Sequence, residues 1–443
     1  MKKYLLLLTG IAAAVMVGAP FATGMMAEKH YRTMIQASLF EPALQLESLN
    51  FEQGIFSSQA TTFIKVTDLT LRRALIDKLG KDENGNVGLL VHHHISHGPV
   101  IFGTGKGIDF AMARATHQIA YNGPAGNSAG QESGKAADLF RIDTRLYFDG
   151  SQTVGIESRE ILAGSSKSTT TVMPLSATFT TDKNYRMLKG DGDWKGMVSE
   201  NGRGEKVSAS DIRFKLDMEK SGELWLGSVL FNQHSITFSS PKTSLQIEGL
   251  EFKHQSSVSG SERLVGSASE LSIQQLATAT NRFGPGEMIL AITNVPATAL
   301  ERLNALRAQA MNTPSPQRDF ALQAATIEAF GLLPELLSHG IVIDMERLYL
   351  NTPGGDFIGH FRFSLPKSNP ASLMNIPWLK SIIALDAGFS LPAPLVPEAT
   401  MKSRIQPLLE RGYLKMDGGV LKADIQMRDG ILTVNDKVMA LPY

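Results

Sequence analysis

The 443-residue chain contains no cysteine. Disulfide staples, thiolate metal sites and cysteine nucleophiles are thereby excluded, and stability has to come from a packed core. An excess of charge of either sign is missing too: 43 Lys+Arg stand against 43 Asp+Glu, with no basic block. Nucleic acid is excluded as a partner, since phosphate binding needs a concentrated positive field. Long apolar runs are scarce: Tyr4 to Ala27 has twenty-four residues without a charge, and no other stretch reaches eighteen apolar residues. Aromatic residues are sparse at 7%, whereas 40 glycines point to many turns between short elements.

A helix over Tyr4 to Ala27 would rise about 36 Å, enough to cross a hydrocarbon core of about 30 Å. A cleaved signal peptide has a shorter apolar core, of about 7 to 15 residues, followed by a small-x-small site. Cutting after Ala19 or Ala22 sets Pro20 close to the scissile bond, and cutting after Ala27 sets Met25 three residues before it. An uncleaved transmembrane helix is the preferred reading over a cleaved signal. Lys2 and Lys3 then face the cytoplasm and the rest of the chain lies outside it.

Beyond residue 43 the pattern moves to period two. Ala60 to Leu71 alternates as a half-buried strand does, Val87 to Ile95 follows, and strand-like runs recur from Thr144 to Ile273 between polar, Gly-rich turns. No βαβ alternation is present, which disfavours a doubly wound fold. Ala297 to Met311 puts Leu300, Leu303 and Leu306 on one stripe, and a second helix is predicted from about Arg318 to His339. The expected fold class is α+β: an N-terminal transmembrane helix, a mostly antiparallel sheet system and a helical pair near 296–339. The expected divisions are 1–27 as membrane anchor, 28–290 as a strand-rich region, and 291–443 as the helical pair with C-terminal strands.

Motifs that carry chemistry are incomplete. On a strand, His92 and His94 share one face of Val91-His92-His93-His94-Ile95-Ser96-His97, while His93 and His97 share the other. His-x-His can chelate zinc with a third ligand, yet no carboxylate within the run supplies one, so no metal is expected. Gly126-Asn127-Ser128-Ala129-Gly130 matches a nucleophile elbow in letters, but its Gly- and Pro-rich flanks suit a loop rather than a strand-to-helix turn. Gly103 to Gly107 lacks the spacing of a phosphate-binding loop. Asp191-Gly192-Asp193-Trp194-Lys195 begins like a calcium loop but has Lys195 where an oxygen ligand belongs. Trp378, in Asn375-Ile376-Pro377-Trp378-Leu379, reads as buried beside a turn in preference to an exposed partner-binding patch.

Phe51-Glu52-Gln53-Gly54-Ile55-Phe56-Ser57-Ser58, Ser96-His97-Gly98-Pro99 and Asp429-Gly430-Ile431-Leu432-Thr433-Val434-Asn435 together resemble motifs of the YdgA-like family of bacterial envelope proteins. In that family an aspartate often stands where Ser96 stands, so a role that needs a carboxylate beside His97 does not transfer. The resemblance implies a single-pass inner-membrane protein with its bulk in the periplasm. It supplies no reaction, and marks Gly54, Phe56, Ser57, Ser58, His97, Gly98 and Pro99 as the motif positions. His97 is read as capping a turn by bonding to backbone, in preference to catalysis.

The expectation for function is a non-enzymatic membrane-anchored protein, without cofactor, that binds a lipid or a protein partner along an apolar groove in envelope maintenance, or associates with itself. The alternative is a periplasmic hydrolase or metalloenzyme built on the histidine-rich strand 92–97.

Overall fold

The computed structural model describes residues 44–67, 88–103, 107–122, 140–165, 168–311, 317–369 and 381–439, with Met25, Glu28 and Thr313. The expectations placed on 4–27, on Gly126 to Gly130, on 104–106 and on Trp378 fall outside them, Met25 apart.

Two compact units divide the chain: Met1–Gly196 with Gln309–Leu322, and Met197–Ala308 with Gln323–Tyr443. The first holds β1 (Leu44–Gln53), β2 (Ser57–Val66), β3 (Gly88–His97), β4 (Val100–Gly103), β5 (Gly107–Phe110), β6 (Ala113–Asn122), β7 (Phe140–Leu146) and β8 (Gln152–Ser158). It continues with β9 (Ile161–Ser165), β10 (Ser168–Val172), β11 (Leu175–Thr181) and β12 (Met187–Asn201). Pairing runs β1-β2-β3-β6-β7-β8-β11-β12, antiparallel throughout, while β4 and β5 form a small hairpin of their own. Strict alternation sets Ser58, Ala60 and Thr62 of β2 and Val91, His93, Ile95 and His97 of β3 on one buried face. Ala60, Ile95, Ala113 and Leu146 form its apolar centre.

The second unit begins with three long strands, β13 (Lys206–Ser221), β14 (Leu224–Ser239) and β15 (Ser244–Ser259). After them come β16 (Leu264–Ile273), β17 (Gln275–Thr278), β18 (Arg282–Phe283) and β19 (Gly286–Pro296). Three helices follow, α1 (Ala297–Met311), α2 (Arg318–Gly331) and α3 (Leu333–Leu337), the end of α1 and the start of α2 falling within the Gln309–Leu322 segment assigned to the first unit. The chain ends in β20 (Val342–Thr352), β21 (Gly355–Ser364), β22 (Ala384–Pro392), β23 (Lys415–Asp417), β24 (Val420–Arg428), β25 (Ile431–Val434) and β26 (Lys437–Met439). The ladder β13-β14-β15-β16-β19-β20-β21-β22-β24-β25-β26 is again antiparallel.

Both the α+β class and the membrane placement are corrected by these elements. The protein is mostly antiparallel β. Strands extend well past the apolar cores that announce them: Arg213 to Asp217 lies inside the 16-residue β13, where Met218 and Glu219 continue the alternation of half-buried and exposed positions. Among the described residues no helix is long and apolar enough to cross a membrane. The 15-residue α1, at about 1.5 Å per residue, reaches only about 22 Å of the roughly 30 Å needed. The single-pass inner-membrane placement therefore finds no spanning helix among the described residues, and the N-terminal segment on which it was based lies outside them.

The core of the second unit gathers at one end of its sheet. Leu224, Val265, Val295, Ile341 and Leu365 are buried there, with Leu300 of α1 and Leu336 and Leu337 of α3 packed against them. α2 buries none of its residues.

Candidate functional site

The two motifs on β2 and β3 come together. Ser57 pairs with Ser96 and Ser58 with Ile95, which leaves Ser58 diagonal to His97 on the buried face. Ser58 Oγ lies 2.9 Å from His97 Nε2, and His97 Nδ1 lies 3.1 Å from the Ile55 carbonyl oxygen. A carbonyl only accepts, so Nδ1 carries the hydrogen. Burial holds the His97 pKa below the ordinary imidazole value, although the bond to Ile55 opposes that shift. The neutral ring then accepts the Ser58 hydroxyl hydrogen at Nε2. The His97 amide donates to the Phe56 carbonyl at 2.8 Å, and the Gly98 amide to that of Met112 at 2.8 Å. Gly54 and Gly98 sit where backbone closes on backbone: a Cβ on Gly98 would lie 1.7 Å from the Ala111 oxygen, and one on Gly54 would lie 2.3 Å from that of Ser57. Pro99 follows in a cis peptide bond, and Phe56 points into solvent.

A hydroxyl bonded to an oriented imidazole is the pairing of a nucleophile with its base. Ser58 is 1% exposed and His97 3%, however, so no substrate atom reaches the hydroxyl in this arrangement. What it accomplishes is to satisfy two buried polar side chains and to tie the 54–58 turn to the end of β3.

A second polar chain crosses the same face. Thr62 Oγ1 lies 3.0 Å from His93 Nε2, the Nδ1 atoms of His93 and His117 are 2.5 Å apart, and His117 Nε2 lies 3.2 Å from Thr144 Oγ1. The chain spans β2, β3, β6 and β7. Burial and then the neighbouring His117 and His92 depress His93 to about 3; burial, opposed by Asp143, depresses His117 to about 4. His92 and His94 face outward on a strand flanked by β2 and β6, not on an edge. Among the described residues no cluster of three potential metal ligands exists. His117, Thr62 and Thr144 escaped the sequence reading, because cross-strand register alone brings them to His93.

The second unit presents an apolar face. Phe214 pairs with Phe231, Phe231 with Phe252, Phe252 with Leu271, Leu271 with Met288 and Met288 with Leu348. All six are half-buried, and none belongs to the helix-covered core. The row crosses six strands, about 24 Å at roughly 4.8 Å per strand.

Beside this row the ladder is interrupted along one transverse line. Asp211 and His234 are skipped between β13 and β14, and His234 and Gly249 between β14 and β15; Gln274 lies between β16 and β17. Asp211 (φ 46°) and Gly249 (φ 61°) are left-handed. Apolar parity inverts at the line: Ile212 and Phe214 give way to Ala209 and Val207, Phe231 to Ile236, and Phe252 to Ile247. A one-residue offset moves a side chain to the other face of a strand, so taking one residue out of each ladder together keeps apolar groups on one side.

A bacterial family of unknown function, DUF945, has a profile that matches residues 1–442. The chain belongs to this family. The match does not carry the narrower YdgA-like label. No curated protein and no solved structure matches the chain.

Proposed function

We propose that this DUF945 protein is a non-enzymatic binding protein, and that the half-exposed apolar face of its second unit holds an acyl chain. The observation that carries this reading is the unbroken cross-strand row from Phe214 to Leu348, since α1 and α3 pack only on the far end of the sheet and α2 buries nothing. A sheet face of large apolar side chains has to be covered. The row has no charge along it, which suits a hydrocarbon chain. The burial of Ser58 and His97 speaks against their use as nucleophile and base.

The test is native mass spectrometry of the intact chain after equilibration with palmitate or with phosphatidylglycerol, alongside a fluorescent fatty acid titration. One acyl chain per subunit is expected, with binding weakened about tenfold or more in Phe231→Ser and Phe252→Ser, given about 1.5–3 kcal/mol for a buried phenylalanine contact. A chain that takes up neither probe, or binds them equally well in both variants, overturns the reading.

A further inference from the structure

The polar side of the same sheet carries a second, independent feature. Along the interrupted line a groove of about 750 Å³ opens, with Asp211, His234, Gly249, Gln274 and Pro285 among its lining residues. Its wall is a direct cross-strand row on the face opposite the phenylalanines: Arg213 pairs with Asn232, Asn232 with Glu251, Glu251 with Ser272, Ser272 with Glu287, and Glu287 with Tyr349. Arg347 completes one end, its Nε 3.1 Å from Glu287 Oε2 and its guanidinium 5.3 Å from the centre of the Tyr349 ring.

The backbone along the groove is held in conformations that L-residues avoid. Asp211 and Gly249 are both left-handed, and so is Gly284 at φ 112° just before Pro285. A Cβ on Gly249 would lie 2.4 Å from the Gln274 side chain, and one on Gly284 would lie 2.6 Å from the Gln274 carbonyl oxygen. The β13–β14 and β14–β15 ladders each omit one residue pair at this line, and the hollow follows it. Glycine and aspartate are the residues that take such conformations at little cost.

We infer that this groove is a binding site for a neutral, hydroxyl-rich chain, that is, an uncharged oligosaccharide. Two guanidinium groups, Arg213 and Arg347, share the lining with three carboxylates, Asp211, Glu251 and Glu287. A polyanion meets the carboxylates and a polycation the guanidinium groups, so neither is favoured. The wall mixes donors with acceptors: a guanidinium that only donates, an amide and a hydroxyl that do both, and two carboxylates that only accept. A sugar hydroxyl both donates and accepts, and a chain of them can satisfy such a wall where a purely accepting or purely donating ligand cannot. The groove runs across several strands, about 4.8 Å apart, and is open to a chain of several units rather than to a single ring.

The experiment titrates the full chain, by calorimetry and saturation-transfer NMR, with tetraacetylchitotetraose, maltotetraose, a heparin tetrasaccharide and tetraalanine. At least one of the two neutral tetrasaccharides is expected to bind, with Kd below about 10 mM, and to weaken about tenfold in Asn232→Ala and in Glu251→Ala, as loss of one hydrogen-bonding partner implies. Ser272→Tyr, which fills the groove without removing a charge, is expected to abolish binding. Phe252→Ser, on the opposite face, should leave it unchanged. Thermal melts establish that each variant is folded. Absence of binding by both neutral probes, tighter binding of the heparin fragment or of tetraalanine, or equal affinity in folded Ser272→Tyr overturns the inference.

Discussion

His93 and His117 meet Nδ1 to Nδ1 at 2.5 Å, directly opposite each other on β3 and β6. Only one hydrogen fits between two such atoms, so one ring is the Nδ1–H tautomer and the other the Nε2–H tautomer. The rest of the chain follows from that choice. If His93 donates, its Nε2 accepts from Thr62 and His117 Nε2 donates to Thr144; the reverse assignment reverses every bond. Either way both rings are neutral and every polar atom of the chain is satisfied.

A pH dependence follows. Both folded pKa values, about 3 and about 4, lie below the unfolded value of 6.5, so the unfolded state takes up protons that the folded state refuses as pH falls from 6.5. Stability is therefore fully present above pH 6.5 and is lost progressively toward pH 4, by about 1–2 kcal/mol per histidine at pH 5. Urea unfolding of the intact chain at pH 7.5 and pH 5 measures it. The acid-sensitive increment should shrink in His117→Gln, and a stability that is level across this range would contradict the assignment.

The Ser58–His97 bond has its own signature. Ser58→Ala leaves Nε2 of a buried ring without its donor and should cost about 1–3 kcal/mol. Ser57→Ala, at a neighbouring position not in that bond, is expected to stay within about 0.5 kcal/mol. Equal and negligible losses in both would remove the bond from the account of the 54–58 turn.

Much of the local pattern was legible and most of the long-range arrangement was not. Period-two spacing separated His93 and His97 from His92 and His94, and the Leu300, Leu303, Leu306 stripe lies in a helix whose Leu300 meets the core. Asp429-Gly430 is a two-residue turn between Arg428 and Ile431 with both φ positive, as a type I′ hairpin demands. The partner of His93 stands 24 residues away on β6, and nothing in Ala113–Asn122 announces which residue of β3 it will face. The parity switch at Asp211 was likewise hidden: a left-handed aspartate inside a 16-residue strand reads in the sequence as one more polar position.

Glycines at close approach separate from glycines in open space. Gly98→Ala drives a methyl onto the Ala111 carbonyl, a backbone atom that cannot rotate away, and should cost more than about 3 kcal/mol or prevent folding. Gly155→Ala, whose nearest contact would be 3.8 Å, should change stability by less than about 0.5 kcal/mol. Melting temperatures of the two variants decide the matter, and a tolerated Gly98→Ala would show that the β3 end is not closed against Ala111 as described.

The interrupted line in the second unit makes the last prediction. Asp211 holds φ 46° in the middle of β13, a conformation that aspartate and asparagine tolerate and a β-branched residue does not. Asp211→Asn should leave stability within about 1 kcal/mol, whereas Asp211→Ile should lose about 2–3 kcal/mol although isoleucine is the better strand former in a regular ladder. Chemical denaturation of the two variants measures the difference. If isoleucine were the more stable, residue 211 would be in ordinary strand geometry, the ladder would run through Asp211 and His234 without a break, and the apolar side chains on the two sides of the line would fall on opposite faces.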